Sequence, residues 1–195
     1  MIGVCQTADA IPPDIEITTF ELCTEYGTID IKKGICTITK DIVGSVQISS
    51  AIHVPYSEQQ LSDKWLNSGF EGTFSIAKYG QGFDFYFDNG LTVDGNGHTI
   101  TLDNNICMNE NLLLGIHAMG ISPNWNSDVF EPTIVKNFTI DGSQWNCTYP
   151  CTPANLNCDP DRKLFGIDIS GDRGDVEITG MTVHNTHTGL EGVAT

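Results

Sequence analysis

A short strand-like phrase recurs along this chain, and it limits the possible folds more than any other feature. Each copy has an apolar residue, a threonine, a second apolar residue and then a polar residue typical of a turn. The copies are LTVDG at 91–95, FTIDG at 138–142 and MTVHN at 181–185. One such unit cannot bury its own apolar side, so repeated units must stack on one another. The repeat therefore predicts short strands that pair in successive layers.

The rest of the chain agrees with an all-β fold. Apolar and polar residues alternate at 15–17, 28–31, 35–38 and 46–48, which is typical of strands with one buried face. Residues 57–67 are the best helix candidate, because Leu61, Trp65 and Leu66 fall on one helical face. The predicted organisation is an extended amino-terminal arm at 1–14, strands and a capping helix at 15–73, and stacked coils at 74–195.

The charge balance excludes several classes of partner. The formal net charge is −16, with nine lysines and arginines against 25 aspartates and glutamates. So few cations cannot neutralise a nucleic-acid backbone, and we expect no nucleic-acid partner. No apolar run reaches the roughly 18 residues that span a bilayer, so we expect no membrane insertion. Acidic polysaccharides would be repelled unless a divalent cation, such as Ca²⁺, were bound.

The cysteines favour disulfides over a metal site. Three of them lie in a proline- and asparagine-rich loop at 144–163, which has no strand or helix pattern and few apolar residues to hold it together. They form no C-x-x-C pair and have no nearby fourth ligand, so we predict no metal there. The odd total leaves at least one thiol free or paired between chains. The disulfide candidates are Cys147, Cys151, Cys158, Cys5, Cys23, Cys36 and Cys107.

Two sequons point to an extracellular or cell-surface glycoprotein. Asn146 lies in the cysteine loop and is the better acceptor, whereas Asn137 directly precedes a predicted strand. Glycans are therefore expected partners.

Two longer segments resemble a known group of proteins. LTVDGNGHTITL at 91–102 and GIDISGDRGDVEITGMTVHNTHTG at 166–189 are similar to the right-handed parallel β-helix of the pectin-lyase-like superfamily. The resemblance implies a right-handed parallel β-helix, which is a solenoid. The helix pattern at 57–67 and the long intervals between repeats add a short amino-terminal helix cap and long turn insertions to this prediction. That superfamily includes polysaccharide lyases, glycoside hydrolases and surface proteins without catalysis, so the resemblance implies a fold more than an activity.

Stacking the repeated phrases in register predicts columns of equivalent side chains. Thr92, Thr139 and Thr182 would form one outer column, and Asp94, Asp141 and His184 would form another at the following turn. The second column suits Ca²⁺ binding or acid–base work, but it is more typical of turn residues that satisfy local backbone groups. The acid pairs and basic motifs that the resembling enzymes carry have no full match here. Catalysis is therefore disfavoured, and Asp94, Asp141 and His184 remain the catalytic candidates if it occurs.

The carboxyl-terminal residues lead to the predicted function. Residues 189–195 begin another coil without a capping helix, which is typical either of a piece of a longer protein or of subunits that continue the stack. In the second case an uncapped edge offers unpaired backbone groups to another chain. We therefore predict a structural, surface or filament-forming subunit that self-associates end to end through this coil. The alternative is a carbohydrate-active or carbohydrate-binding pectin-lyase-like protein, acting as a lyase or a glycoside hydrolase.

Overall fold

The computed structural model describes residues 16–77, 81–102, 116–122, 132–144, 164–170 and 175–193. Their strands fall into four sheets, named sheets 1 to 4 below. The predicted arm at 1–14, the cysteine loop from 145 onward and the long turn insertions lie outside the described residues.

Sheet 1 contains five parallel strands in the order β1-β5-β11-β14-β17. Its outward and inward side chains alternate, and Val46, Ile48, Met119 and Ile121 point into the core without solvent exposure. The strands are β1 (Glu16–Thr18), β5 (Ser45–Ser49), β11 (Ile116–Ser122), β14 (Leu164–Ser170) and β17 (Thr188–Val193).

Sheets 2 and 3 supply two further ladders. Sheet 2 has the order β15-β12-β9-β3-β2 and is parallel except for the β2–β3 pair. Its strands are β2 (Gly27–Asp30), β3 (Ile35–Ile38), β9 (Leu91–Asp94), β12 (Thr133–Lys136) and β15 (Val176–Thr179). Sheet 3 is parallel, with the order β16-β13-β10-β4. Its strands are β4 (Ile42–Val43), β10 (Thr99–Thr101), β13 (Thr139–Asp141) and β16 (Thr182–His184).

Sheet 4 is antiparallel and lies between β5 and β9 in the chain. It has the order β6-β8-β7, with β6 at Ile52–Pro55, β7 at Gly72–Ile76 and β8 at Gly82–Phe87. Helix α2 (Gln59–Asn67) follows a 3-10 turn at Tyr56–Glu58 and covers this sheet. The Trp65 ring packs edge-on against Phe85, with ring centroids 5.2 Å apart.

The predicted fold class, a single all-β right-handed parallel β-helix, is wrong. The described strands form separate sheets that are parallel, mixed and antiparallel, with helices packed among them, and they do not make one closed solenoid. The physical reason lies in the short connections. Only residues 31–34 join β2 to β3, and only 77–81 join β7 to β8, whereas a parallel pair needs a crossover of about a dozen residues.

The predicted helix at 57–67 is present but its expected role as the end cap is wrong, since it packs on sheet 4. A different helix, α1 (Thr19–Thr24), lies beside the first strands and was not predicted. Thr18 and Glu21 form a reciprocal capping box at its start, which satisfies amide groups that have no partner in the first helical turn. Leu22 is 0 % exposed, and the Cys23–Cys36 disulfide joins α1 to β3. Helix α1 therefore covers sheets 1 and 2 at the end where the described chain begins, whereas Val43 on β4, at the same end of sheet 3, is exposed.

Candidate assembly edge and polar clusters

Asp141 and His184 lie side by side in sheet 3. The register pairs Asp141 at the end of β13 with His184 at the end of β16. His184 Nδ1 is 3.3 Å from Asp141 Oδ1, and the Asn185 amide donates to the same oxygen at 3.0 Å. The backbone N–H and the hydroxyl of Ser143 donate to the two carboxylate oxygens at 2.9 and 3.0 Å.

These donors determine what Asp141 can do. The Asn185 amide, then the Ser143 backbone N–H, lower the pKa of Asp141 because each stabilises the ionised carboxylate. A carboxylate whose oxygens are already occupied is a poor proton acceptor at neutral pH. The arrangement therefore suits a residue that fastens a turn between neighbouring strands.

Asp94 occupies an equivalent position in another sheet, so the predicted column of three is not formed. Asp94 ends β9 in sheet 2 and lies opposite Lys136, with 3.4 Å between Nζ and Oδ2. Partial burial opposes ionisation, but hydrogen bonds from Asn137, the Asn96 backbone and Lys136 leave the pKa of Asp94 lowered. Thr92 likewise pairs with Ile134, and the outer threonine column runs through Thr99, Thr139 and Thr182.

Left-handed asparagines recur at these turns. Asn96, Asn137 and Asn185 have φ angles of 51°, 58° and 59°, a region that asparagine tolerates better than most residues. The Asn137 amide donates to Asp94 Oδ1 at 3.0 Å, just as Asn185 donates to Asp141. The nitrogen that would carry a glycan at Asn137 is therefore engaged within the protein, and glycosylation there stays a prediction. Asn146 lies outside the described residues.

A third cluster lies on the outer face of sheet 1 and was missed by the sequence analysis. His117 Nε2 is 3.1 Å from Glu16 Oε1, and its Nδ1 is 3.9 Å from Asp168 Oδ2. Glu16 belongs to β1, two strands away from β11, so His117 reaches across β5. No sequence signal could have identified this cluster, because Glu16 and His117 are 101 positions apart.

Only two of the seven cysteines lie among the described residues, so the structure bears on part of the cysteine and metal predictions. Cys23–Cys36 is a disulfide, while Cys5, Cys107, Cys147, Cys151 and Cys158 lie outside the described residues. Among the residues that are described, no group of three or more histidine, cysteine, aspartate or glutamate side chains is arranged to hold a metal ion. Across the same residues, none of the helices has both the length and the apolar content for a membrane span.

The last three strands form the candidate assembly edge, defined as β15, β16 and β17. Each is the outer strand of a different sheet, with no further strand beside it in the described part of the chain. Their core-facing residues Val176, Ile178 and Val183 are only partly buried, and Leu190 is 58 % exposed. In sheet 1, Leu190 continues the inward row of Val46, Met119 and Ile167, which are buried. Exposed edges of this kind are templates for additional strands.

No protein-family model, curated protein or solved structure matches this chain. The resemblance to the pectin-lyase-like superfamily therefore stays a prediction.

Proposed function

We propose that this chain is an extracellular structural subunit that self-associates end to end through the assembly edge β15–β17. The observation that carries the proposal is that the last described strand of sheets 1, 2 and 3 is in each case an outer strand, with no neighbour on its other side among the described residues. If the same edge of a second copy is placed against this edge, β15, β16 and β17 of both copies gain neighbours and three sets of backbone groups are satisfied at once, without a contribution from β4.

The exposed apolar side chains on this edge support the same conclusion. Leu190 lies at the end of a row whose other members are buried, so it lacks the neighbour that they have. Burying an aliphatic side chain of this size contributes about 1.5–3 kcal/mol relative to leaving it exposed. A strand added beside β17 would provide that burial.

Charge sets the conditions under which the contact forms. Two copies that each carry a net charge of −16 repel one another at low ionic strength. Salt screens this repulsion, with a Debye length of about 8 Å at physiological ionic strength. We therefore expect association to strengthen as salt is added, which distinguishes it from an association driven by ion pairs.

Leu190→Lys tests the proposal. The substitution places a charge on the edge where a partner strand would bury it, and we expect the dissociation constant to rise by about tenfold or more. It also changes the net charge from −16 to −15, so stronger repulsion between copies cannot explain a weaker contact. Sedimentation equilibrium over a range of protein and salt concentrations measures the effect, and negative-stain electron microscopy shows whether rods form.

Val43→Lys is the matched control. Val43 is also an exposed aliphatic residue on an edge strand, at 59 % exposure, but it lies on β4 at the opposite edge of sheet 3. It makes the same change in charge. Equal association of wild type, Leu190→Lys and Val43→Lys would contradict the proposal, as would a wild-type protein that is monomeric throughout.

The extracellular setting rests on one further observation. Disulfides persist mainly in oxidising compartments, so Cys23–Cys36 supports secretion or surface display. The carbohydrate-active alternative has weaker support, because Asp94 lies in a different sheet from Asp141 and His184 and the Asp141 oxygens are already hydrogen-bonded.

A further inference from the structure

Strand β7 is an unprotected edge in a different part of the molecule. It is the outer strand of sheet 4 and pairs on one side with β8, with no strand on its other side in the described part of the chain. Phe74 is 37 % exposed and Ile76 is 66 % exposed, although both are large apolar residues. The neighbouring ring of Phe83 stacks on Phe74 with centroids 5.1 Å apart, so Phe74 is held in a defined position.

The other edge of the same sheet shows what β7 lacks. Strand β6 ends in Pro55 and carries His53, which pairs with Asp84 at 2.9 Å. Proline and charged groups are the usual devices that prevent an edge strand from pairing with another chain. The β7 sequence, GTFSI, has no proline and no charged residue over its five positions. It is therefore open to strand addition.

We propose that β7 pairs antiparallel with β7 of a second copy of this chain, about a two-fold axis, to make a continuous six-stranded sheet. Sheet 4 is already antiparallel, so a two-fold contact continues its pattern of pairing without a change of direction. Charge on the strand itself does not oppose a second copy here. The chain carries a net charge of −16, and two uncharged strands meet without placing like charges opposite each other.

The exposed side chains determine the register. Centring the axis on Ser75 places Phe74 of each copy directly opposite Ile76 of the other, which gives two aromatic–aliphatic cross-strand pairs on one face. The two Ser75 residues then face each other on the other face. A slip of one residue would place Phe74 opposite Ser75 and leave both apolar side chains without a partner. The proposed register is therefore specific enough to test.

This contact does not depend on the assembly edge β15–β17, because it uses a different sheet and different residues. If both contacts form, each subunit has two attachment surfaces, which is what an open chain of subunits requires. If an experiment shows that one of these two contacts does not form, the proposal for the other contact still holds.

Ile76→Lys tests whether β7 is used, with Val43→Lys as the control of equal charge. The Ile76 side chain is mostly exposed, so we expect unchanged thermal unfolding of the monomer and a dissociation constant raised about tenfold or more. Leu190→Lys in the same sedimentation experiment separates the two contacts. Loss of association only with Ile76→Lys supports the β7 contact, and loss only with Leu190→Lys overturns it.

Ser75→Cys tests the register without relying on a change in affinity. Under mild oxidation we expect a disulfide between the two copies of residue 75, identified by mass spectrometry of the crosslinked peptide. Thr73→Cys is the matched control, because two residues 73 would lie apart in this register. Efficient linkage through residue 73, an absence of the residue 75 crosslink, or a wild-type protein that is monomeric at all concentrations would overturn the proposal.

Discussion

The two ends of sheets 1, 2 and 3 are built in different ways. At the first end, helix α1 lies against the outer strands of sheets 1 and 2, Leu22 and Cys23 are buried, and a disulfide joins the helix to β3. At the other end, Val176, Ile178 and Val183 are only partly buried, and Leu190 is exposed. The same alternation of apolar residues therefore gives a closed core at one end and an accessible edge at the other.

This difference shows that burial along a stack of strands depends on the neighbour and not on the strand itself. Ile167 on β14 is enclosed because β11 lies on one side of it and β17 on the other. Leu190 has the same place in the row but only one neighbour. If the assembly edge functions as proposed, a partner strand buries the exposed side of β17, just as helix α1 buries apolar side chains beside the first strands.

Truncating one leucine at each end should show the largest contrast. Leu22→Ala removes a side chain with no solvent exposure, and we expect a loss of about 2–5 kcal/mol in the free energy of unfolding. Leu190→Ala should cost less than about 0.5 kcal/mol in the monomer, because little area is lost from the core. Urea unfolding at a protein concentration where the chain is monomeric measures both, and similar losses would show that the two ends do not differ.

Removing the disulfide tests how the first end is held. Replacing Cys23 and Cys36 together with alanine opens a loop with a sequence separation of 13 residues. The chain-entropy estimate for a loop of this size is about 3 kcal/mol, to which the loss of buried sulfur atoms adds. Calorimetry of the double variant should show a lower Tm. A Tm equal to that of the wild type would mean that packing of α1 is sufficient without the crosslink.

The capping box provides a finer test at the same end. Thr18→Ala removes the hydroxyl that accepts from the Glu21 backbone N–H, and a lost cap of this kind costs about 1 kcal/mol. Thr182→Ala, on the exposed edge strand β16, is a suitable comparison because no cap is lost. Chemical unfolding should separate the two variants, and equal stabilities would argue against a structural role for the cap.

Acid should produce the smallest of these effects. Hydrogen bonding lowers the pKa of Asp41 at the first end, through the Thr99 backbone N–H and then His98, and of Asp141 near the other. A carboxyl whose pKa is lower in the folded state stabilises the protein above its unfolded pKa of about 3.9, and this contribution is lost as the pH falls. Wild-type stability should therefore decrease between neutral pH and about pH 3.

Substitutions of these carboxyls assign the acid effect to one end or the other. Asp41→Asn and Asp141→Asn should each flatten the dependence of stability on pH, since each removes one group that titrates differently in the two states. Urea unfolding at several pH values measures the slope. An unchanged slope in both variants would place the effect in other carboxyls.

Some elements were predictable because their signals are local. The alternation at 35–38 matches β3 residue for residue, and the one-sided apolar pattern at 57–67 gave the α2 segment. The parallel pairing of Thr139 with Thr182, and hence of Asp141 with His184, also follows from matching phrases. Helix α1 was missed because it is six residues long, although Thr18 and Glu21 have the spacing of a capping box.

The place of Asp94 was not predictable from its phrase. The segment 91–102 contains two strands, and the second of them, at Thr99–Thr101, pairs with β13. Strand β9 instead lies against β12, a strand with no threonine-centred phrase. Two similar phrases can therefore belong to different sheets, because strand pairing is decided by contacts between distant parts of the chain.

The sequence by itself determined which segments are strands and which side of each is apolar, since alternation and turn residues act over a few positions. It also determined the strong negative charge and the lack of charge along β7. Only the tertiary structure decided that β9 and β13 belong to different sheets, that Cys23 bonds to Cys36 and that His117 meets Glu16 and Asp168. It also decided that α1 covers sheets 1 and 2 at one end while the other end is exposed. These are contacts between residues far apart in the chain, and local preferences carry no information about which distant partner will supply the burial.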